Sequence, residues 1–154
     1  MTSEKDKLAR YWYEQGHNYY ESSKLLLKYQ NQQTIFPVLT LLAFSSECFF
    51  KTLLTLTNVK IKRFHELEKL FNALPSDVKD QISNEFLTTY HHRIDLCLIQ
   101  NSKTFIDSRY FLTETTFIDS GQAQPFHLGT LEILCEFLYN FIKHNGETIK
   151  YNYK

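Results

Sequence analysis

Glycine and proline are scarce in this sequence, which contains four glycines and three prolines among 154 residues. Tight turns depend on both residue types, so their scarcity argues against an all-β fold. No charge of one sign dominates, because 17 Lys and Arg residues balance 17 Asp and Glu residues. The chain as a whole therefore has no electrostatic field that attracts nucleic acid or an anionic membrane, although a local basic patch is compatible with this balance.

Cysteine is also rare, and no two cysteines are close enough in sequence to begin a zinc site. Cys48, Cys97 and Cys135 each lie in an apolar helical pattern, so we predict buried free thiols in a reducing cytoplasm. The first residues lack the apolar core of a secretory signal, which also favours a cytoplasmic location. His91 and Asp95 are one helical turn apart, but two ligands on one helix do not make a metal site. We expect no metal and no cofactor.

An almost wholly apolar run from Val38 to Leu56 contains one acidic residue, Glu47, and one basic residue, Lys51. On a helix these two charges share a narrow polar stripe, while the rest of the circumference is apolar. Such a helix is typical of the centre of a helical bundle, where a carboxylate needs a partner or must face a cleft. The run is just long enough to suggest a membrane span, but its central charges oppose insertion, so we expect no membrane association.

Helical patterns cover most of the remaining chain and predict an all-α fold, a single-domain up-and-down bundle of four to five helices over residues 1–146. The predicted helices run from Ser3 to Tyr29, from a Thr34 cap to Leu56 with Pro37 in the first turn, from Phe64 to Leu74, from Ser76 to about Leu98, and from about Pro125 to His144. The weakest helical pattern lies at residues 101–124. Asn145-Gly146 predicts the end of the last helix, so residues 147–154 are expected to form a polar C-terminal tail.

Several segments occur in an order that resembles the HEPN superfamily, the nucleotide-binding helical domains of higher eukaryotes and prokaryotes. These segments are Tyr11-Trp12 with Ser23 to Leu26, then Ala43 to Lys51, then His65 to Phe71, and later Phe105 to Tyr110 with Glu114. The resemblance spans about residues 8 to 143 and implies an antiparallel bundle that forms a homodimer. The superfamily includes metal-independent ribonucleases of toxin–antitoxin and phage-defence systems, partners of small nucleotidyltransferases, and inactive binding domains.

The ribonucleolytic members carry an Arg and a His separated by four to six residues, and two copies form a composite site that promotes attack by the RNA 2′-hydroxyl. Arg93 and Arg109 have no His at this spacing. Only Arg10 and His17 meet it, and they project from one face of the first helix, whereas the family places its pair late in the bundle. One alternative is therefore a metal-independent endoribonuclease in which His17 transfers protons and Arg10 stabilises phosphate charge across a dimer.

The buried carboxylate supports two further hypotheses, one structural and one functional. In the structural hypothesis, Arg109 forms a buried ion pair with Glu47 and ties the late aromatic segment to the central helix. In the functional hypothesis, Arg109, Tyr110 and Lys51 receive a phosphate in a polar cleft. His65 occupies the family's helix-entry position, where we expect a cap or packing contact, with a ligand role as the alternative.

The leading prediction is a cytoplasmic, HEPN-like, dimeric binding or regulatory domain without catalysis. Its ligand is RNA, a nucleotide or a partner protein such as an antitoxin or a nucleotidyltransferase. A purely structural dimer is a third possibility. Tyr11, Tyr13, Tyr19 and Tyr20 lie on more than one side of the first helix and cannot all face one core, which favours dimerisation.

Overall fold

The computed structural model describes residues 3–29, 32–61, 63–102 and 128–153, with only the backbone at residues 32 and 33. Six helices and no strand occur in these ranges, which confirms the predicted all-α class. The helices are α1 (Glu4–Leu27), α2 (Gln32–Leu56), α3 (Leu67–Asn72), α4 (Ser76–Tyr90), α5 (Ile94–Asn101) and α6 (Leu128–Asn152).

Helix α2 lies at the centre, as its apolar sequence predicted. Its core side chains are buried, among them Val38, Leu39, Leu42, Phe49, Phe50, Leu53, Leu54 and Leu56. Both α1 and α6 pack against it. By length and composition the segment Thr34–Leu56 is a candidate membrane span, with a mean hydropathy of 1.4, and 83% of the scored window is buried inside the structure. A buried core helix meets the same criteria, so the absence of membrane association stays a prediction.

Contacts between side chains give the direction of each long helix. Trp12 lies against Lys51 and Tyr19 against Phe44, so α1 and α2 are antiparallel. Phe49 contacts Tyr139 and Ser45 contacts Cys135, so α2 and α6 are parallel. Helix α4 runs antiparallel to α6, because Phe86 packs on Phe137 while Gln81 bonds to Asn145. The long helices therefore alternate in direction along the chain.

Helices α1 and α2 approach each other closely at Gly16. The Ser45 hydroxyl donates to the Gly16 carbonyl at 2.6 Å, and a Cβ on Gly16 would lie 2.7 Å from the Phe49 ring. Ala9, Gly16 and Ser23, small residues seven positions apart, lie on the buried face of α1. The apolar side predicted from Leu8, Trp12, Tyr19 and Leu26 is only partly covered, and 44% of Leu8 is exposed.

A local capping signal correctly predicted the start of α1, whereas the cap at the end of α2 was not predicted. Ser3 and Asp6 form a reciprocal capping box at the start of α1. At the end of α2, Asn58 adopts the left-handed conformation, and the amides of Asn58 and Val59 donate to Thr55 and Leu54. This pattern is a Schellman motif.

Other helix ends differ from the prediction. Thr34 does not cap α2, because the helix already begins at Gln32 and the Thr34 hydroxyl donates to the Tyr29 carbonyl. Helix α3 is shorter than predicted. The fourth predicted helix does not continue to Leu98, because His91 adopts a φ of 52° and ends α4, and α5 begins at Ile94.

The last helix extends well past its predicted end. Asn145-Gly146 is not a C-cap, and residues 147–152, expected to be a tail, form the last turns of α6. Gly146 and Ile149 are buried, and the Lys150 ammonium pairs with Asp6 at 3.0 Å. Burial of this face outweighs the local signal of an Asn-Gly pair. The start predicted at Pro125 lies outside the described residues.

Tyr153 joins the end of α6 to three other parts of the chain. Its carbonyl accepts hydrogen bonds from the side chains of Lys5 and Asn58, and its hydroxyl donates to Asp77. Burial and the Asp77 carboxylate together raise the pKa of Tyr153 to about 12. The C-terminal end of α6 is therefore fastened to α1, to the end of α2 and to the start of α4.

Candidate functional site

Glu47 is completely buried in the middle of α2, and its carboxylate contacts two basic side chains. The Lys51 ammonium, one helical turn later, donates to Glu47 Oε1 at 2.6 Å. Nδ1 of His65 lies 3.1 Å from Oε1 and 3.2 Å from Oε2. The expectation that this carboxylate needs a partner is therefore confirmed. We refer to Glu47, Lys51 and His65 as the Glu47 cluster.

The Glu47 cluster leads from the core to the surface. The exposed fraction of the side chain is 0% for Glu47, 11% for Lys51 and 50% for His65. His65 lies between α2 and α3, on the short segment that precedes Leu67. Because a carboxylate only accepts hydrogen bonds, Nδ1 of His65 carries a proton in this contact. The contact fixes the orientation of the imidazole through its Nδ1 edge.

Aromatic side chains from α1 cover the lysine of the Glu47 cluster. The Lys51 ammonium lies 4.7 Å from the centroid of the Trp12 ring, which is within the range of a cation–π interaction. The Tyr11 ring packs edge-on against Trp12 at 5.2 Å. The indole Nε1 of Trp12 is buried, and in the described part of the chain it has no hydrogen-bond acceptor. An unsatisfied donor of this kind is costly unless a ligand or water supplies an acceptor.

Two residues of the predicted site, Arg109 and Tyr110, lie outside the described residues, as does the predicted Glu47–Arg109 ion pair. Among the described residues, Glu47 pairs with Lys51 and His65. One of these partners could have been predicted from the sequence. Lys51 follows Glu47 by four positions, the spacing at which helical side chains meet, whereas no sequence signal links His65 to Glu47.

Arg10 and His17 project from α1 but are not brought together. The Arg10 side chain is exposed and pairs with Glu14 at 2.7 Å. The His17 ring stacks on Tyr139 with a centroid distance of 5.0 Å and lies 3.6 Å from Glu21. Seven residues of helix separate the two by about 10 Å. A composite site would require a second copy of the chain, so this hypothesis stays a prediction.

The three cysteines are buried and unpaired, as predicted. Burial raises the pKa of the Cys48 and Cys135 thiols to about 12 and that of the Cys97 thiol to about 11. A nucleophilic thiolate is therefore suppressed near neutral pH. In the described ranges, no group of three or more His, Cys, Asp and Glu side chains is arranged to hold a metal ion.

Comparison with known proteins does not identify a relative. No family model matches the chain. No curated protein matches it. No solved structure matches it.

Proposed function

We propose that this chain is a HEPN-like, noncatalytic binding domain that holds the phosphate of a nucleotide or of RNA at the Glu47 cluster. The observation that carries this proposal is a completely buried carboxylate contacted by both an ammonium and a half-exposed imidazole. Removing a carboxylate from water costs several kcal/mol, and apolar replacements of buried ion pairs are often as stable. A binding role gives a reason for retaining these charges.

The charges of the Glu47 cluster suit a phosphate. Glu47 neutralises Lys51, so the pair does not repel an anion. In the proposed complex His65 is an imidazolium: its Nδ1 donates to Glu47, and its other ring nitrogen donates a charge-assisted hydrogen bond to a phosphate oxygen. The buried Trp12 N–H lies beside Lys51 as an additional donor. That Arg109 and Tyr110 also contact the phosphate stays a prediction from the sequence.

The resemblance to HEPN domains also supports the proposal, because the quoted segments include Glu47, Lys51 and His65. The alternative, an endoribonuclease using Arg10 and His17, receives less support from the geometry. Arg10 pairs with a carboxylate of its own helix, and His17 packs on an aromatic ring. A homodimer, an antitoxin or nucleotidyltransferase partner, and a cytoplasmic location remain part of the proposal as predictions.

Binding is tested by fluorescence anisotropy with a labelled oligoribonucleotide at fixed salt, with AMP as competitor and without metal. We expect saturable binding that His65→Gln weakens by at least about tenfold, since a charge-assisted hydrogen bond contributes about 1.5–3 kcal/mol. The matched control is His144→Gln, because His144 is exposed and, among the described residues, its ring bonds to the backbone of its own helix. We expect this control to bind within about twofold of the unmodified protein.

Equal binding by His65→Gln and the unmodified protein would contradict the proposed site, as would failure of AMP to compete. Gel analysis of the same samples tests the alternative. Metal-independent RNA cleavage that is lost in both Arg10→Ala and His17→Ala, with circular dichroism unchanged, would replace the binding proposal by the nuclease.

A further inference from the structure

A groove of about 440 Å³ lies between α1 and α6, and α2 forms its base. Leu56, which lines the groove, follows Glu47 by nine residues and therefore lies about 180° away around α2. The groove and the Glu47 cluster are on opposite faces of the central helix. A ligand in the groove would therefore bind at a different site from the phosphate proposed at the Glu47 cluster.

Both ends of the groove are closed by contacts between α1 and α6. At one end, the Lys150 ammonium pairs with Asp6 at 3.0 Å. At the other, the rings of Tyr13 and Tyr139 stack at 5.7 Å with nearly parallel planes. Asp6 and Tyr13 are seven residues apart on α1, so the groove is about 10 Å long. Its length and volume fit a small organic molecule.

The floor of the groove is apolar, and a glycine opens it. Ala9, Leu56, Ile142 and Gly146 line it and are buried. A Cβ on Gly146 would lie 3.6 Å from Ile142 and 3.7 Å from Leu56, which are ordinary contact distances. A larger side chain at position 146 would therefore extend into the space of the groove.

Positive charge lies on both sides of this apolar floor. Arg10 on α1 and Lys143 on α6 line the groove and are exposed. Arg10 uses its Nε for Glu14, which leaves other guanidinium donors for a second acceptor. In the described part of the chain, Lys143 forms no ion pair, and its ammonium lies 6.0 Å from the Tyr139 ring. Asp6 and Lys150 neutralise each other at the end of the groove.

We infer that this groove binds a small organic anion with an apolar body. Arg10 and Lys143 hold the acidic head group of the anion, and the body lies over Leu56, Ile142 and Gly146. An acidic head group suits this rim because Lys143 has no ion pair in the described part of the chain, and Arg10 keeps guanidinium donors beyond the one bound to Glu14. The two acids of the lining, Asp6 and Glu147, both lie beside Lys150 at the end of the groove. The apolar floor excludes a fully hydrated ion such as inorganic phosphate as the preferred ligand.

The probe for this site is 8-anilinonaphthalene-1-sulfonate, which joins an apolar ring system to one sulfonate. We expect a saturable rise in its fluorescence with one site per chain. Gly146→Leu fills the groove and should weaken binding at least about tenfold, the equivalent of about 1.4 kcal/mol. Gly129→Leu is the matched control on the same helix, because a Cβ at Gly129 meets nothing within 4 Å. The control should bind the probe like the unmodified protein.

The role of charge is tested with Lys143→Gln and Arg10→Gln. Both positions are exposed, so we expect both variants to fold normally. Each should weaken binding of the sulfonate several-fold, while binding of the neutral dye N-phenyl-1-naphthylamine stays unchanged. If circular dichroism shows Gly146→Leu to be unfolded, these two variants alone test whether the groove binds the anion. Unsaturable fluorescence, undiminished binding by a folded Gly146→Leu, or equal loss of both dyes in the charge variants would overturn the inference.

Discussion

At the scale of single residues, the sequence identifies which side chains need an explanation better than it identifies their partners. One carboxylate in an apolar helix implied a counter-charge, and the structure provides it through Lys51 and His65. Lys51 follows from helical spacing alone. His65 is eighteen residues away, and only tertiary packing determines that its ring reaches Glu47.

The Glu47–Lys51 contact should behave as a buried ion pair. Lys51→Met removes the ammonium that contacts the buried Glu47 carboxylate, so we expect the free energy of unfolding to fall by about 3–5 kcal/mol. Adding Glu47→Gln to this variant removes the uncompensated charge and should recover part of the loss. Urea denaturation of the two single variants and the double variant measures the coupling. Additive losses would show that the two side chains do not interact.

Gly16 should tolerate no side chain. A Cβ there would lie 2.7 and 2.8 Å from ring atoms of Phe49, which is fully buried. We expect Gly16→Ala to lower the free energy of unfolding by about 1–3 kcal/mol. Gly129→Ala is the control, because its Cβ is unobstructed and alanine favours a helix. Chemical denaturation that gives the two variants equal stability would contradict the close approach of α1 and α2.

At the scale of helices, the sequence correctly predicted a helix end where a side chain caps the backbone amides. It failed where tertiary packing determines how far the helix continues. The Ser3–Asp6 capping box is a local signal, and α1 begins there. Asn145-Gly146 is also a local signal, but α6 continues because Gly146 and Ile149 are buried. The sequence has no glycine or proline at His91 that would predict the end of α4. The helix ends there because His91 adopts the left-handed conformation, which usually favours glycine.

The end of α6 should contribute to stability rather than act as a tail. Ile149 is only 4% exposed and belongs to the hydrophobic core. Ile149→Ala should lower the free energy of unfolding by about 2–5 kcal/mol, because it removes buried apolar volume. Thr148→Ala, at the neighbouring exposed position, should change it by less than about 0.5 kcal/mol. Thermal unfolding of the two variants gives their midpoints. Equal midpoints would mean that residues 147–152 do not pack against the rest of the protein.

At the scale of the whole molecule, composition and helical periodicity were sufficient for the all-α class. The central position of α2 followed from its apolar circumference. Neither signal predicts the groove between α1 and α6, because it arises from the angle and spacing at which two helices pack on a third. The small residues Ala9, Gly16 and Ser23, spaced seven apart, are the sequence pattern from which the buried face of α1 could have been predicted.

Buried thiols and phenols predict a loss of stability at high pH. Burial raises the pKa of Cys48 from 9.0 to about 12, and burial with the nearby Tyr139 raises that of Tyr13 from 10.0 to about 12. The unfolded chain releases these protons at lower pH than the folded chain. Their contribution is therefore complete below about pH 9 and is lost as the pH rises towards 12.

Urea denaturation between pH 8 and pH 11 measures this loss. When Cys48, Cys97 and Cys135 are replaced with alanine, the loss of stability should begin at about pH 10 instead of about pH 9, because tyrosine then ionises first. A free energy of unfolding that is constant across this range would contradict the buried, protonated state of these groups.

The most direct test of the central claim is a long-range ¹H–¹⁵N spectrum of the histidine rings during titration with AMP. Before AMP is added, we expect His65 to carry a proton on Nδ1. With AMP, we expect the His65 nitrogens to shift with saturation, while those of His144 stay in place. A proton on Nε2 alone in the free protein, or equal and unsaturated shifts of His65 and His144, would contradict the Glu47 cluster as a phosphate site.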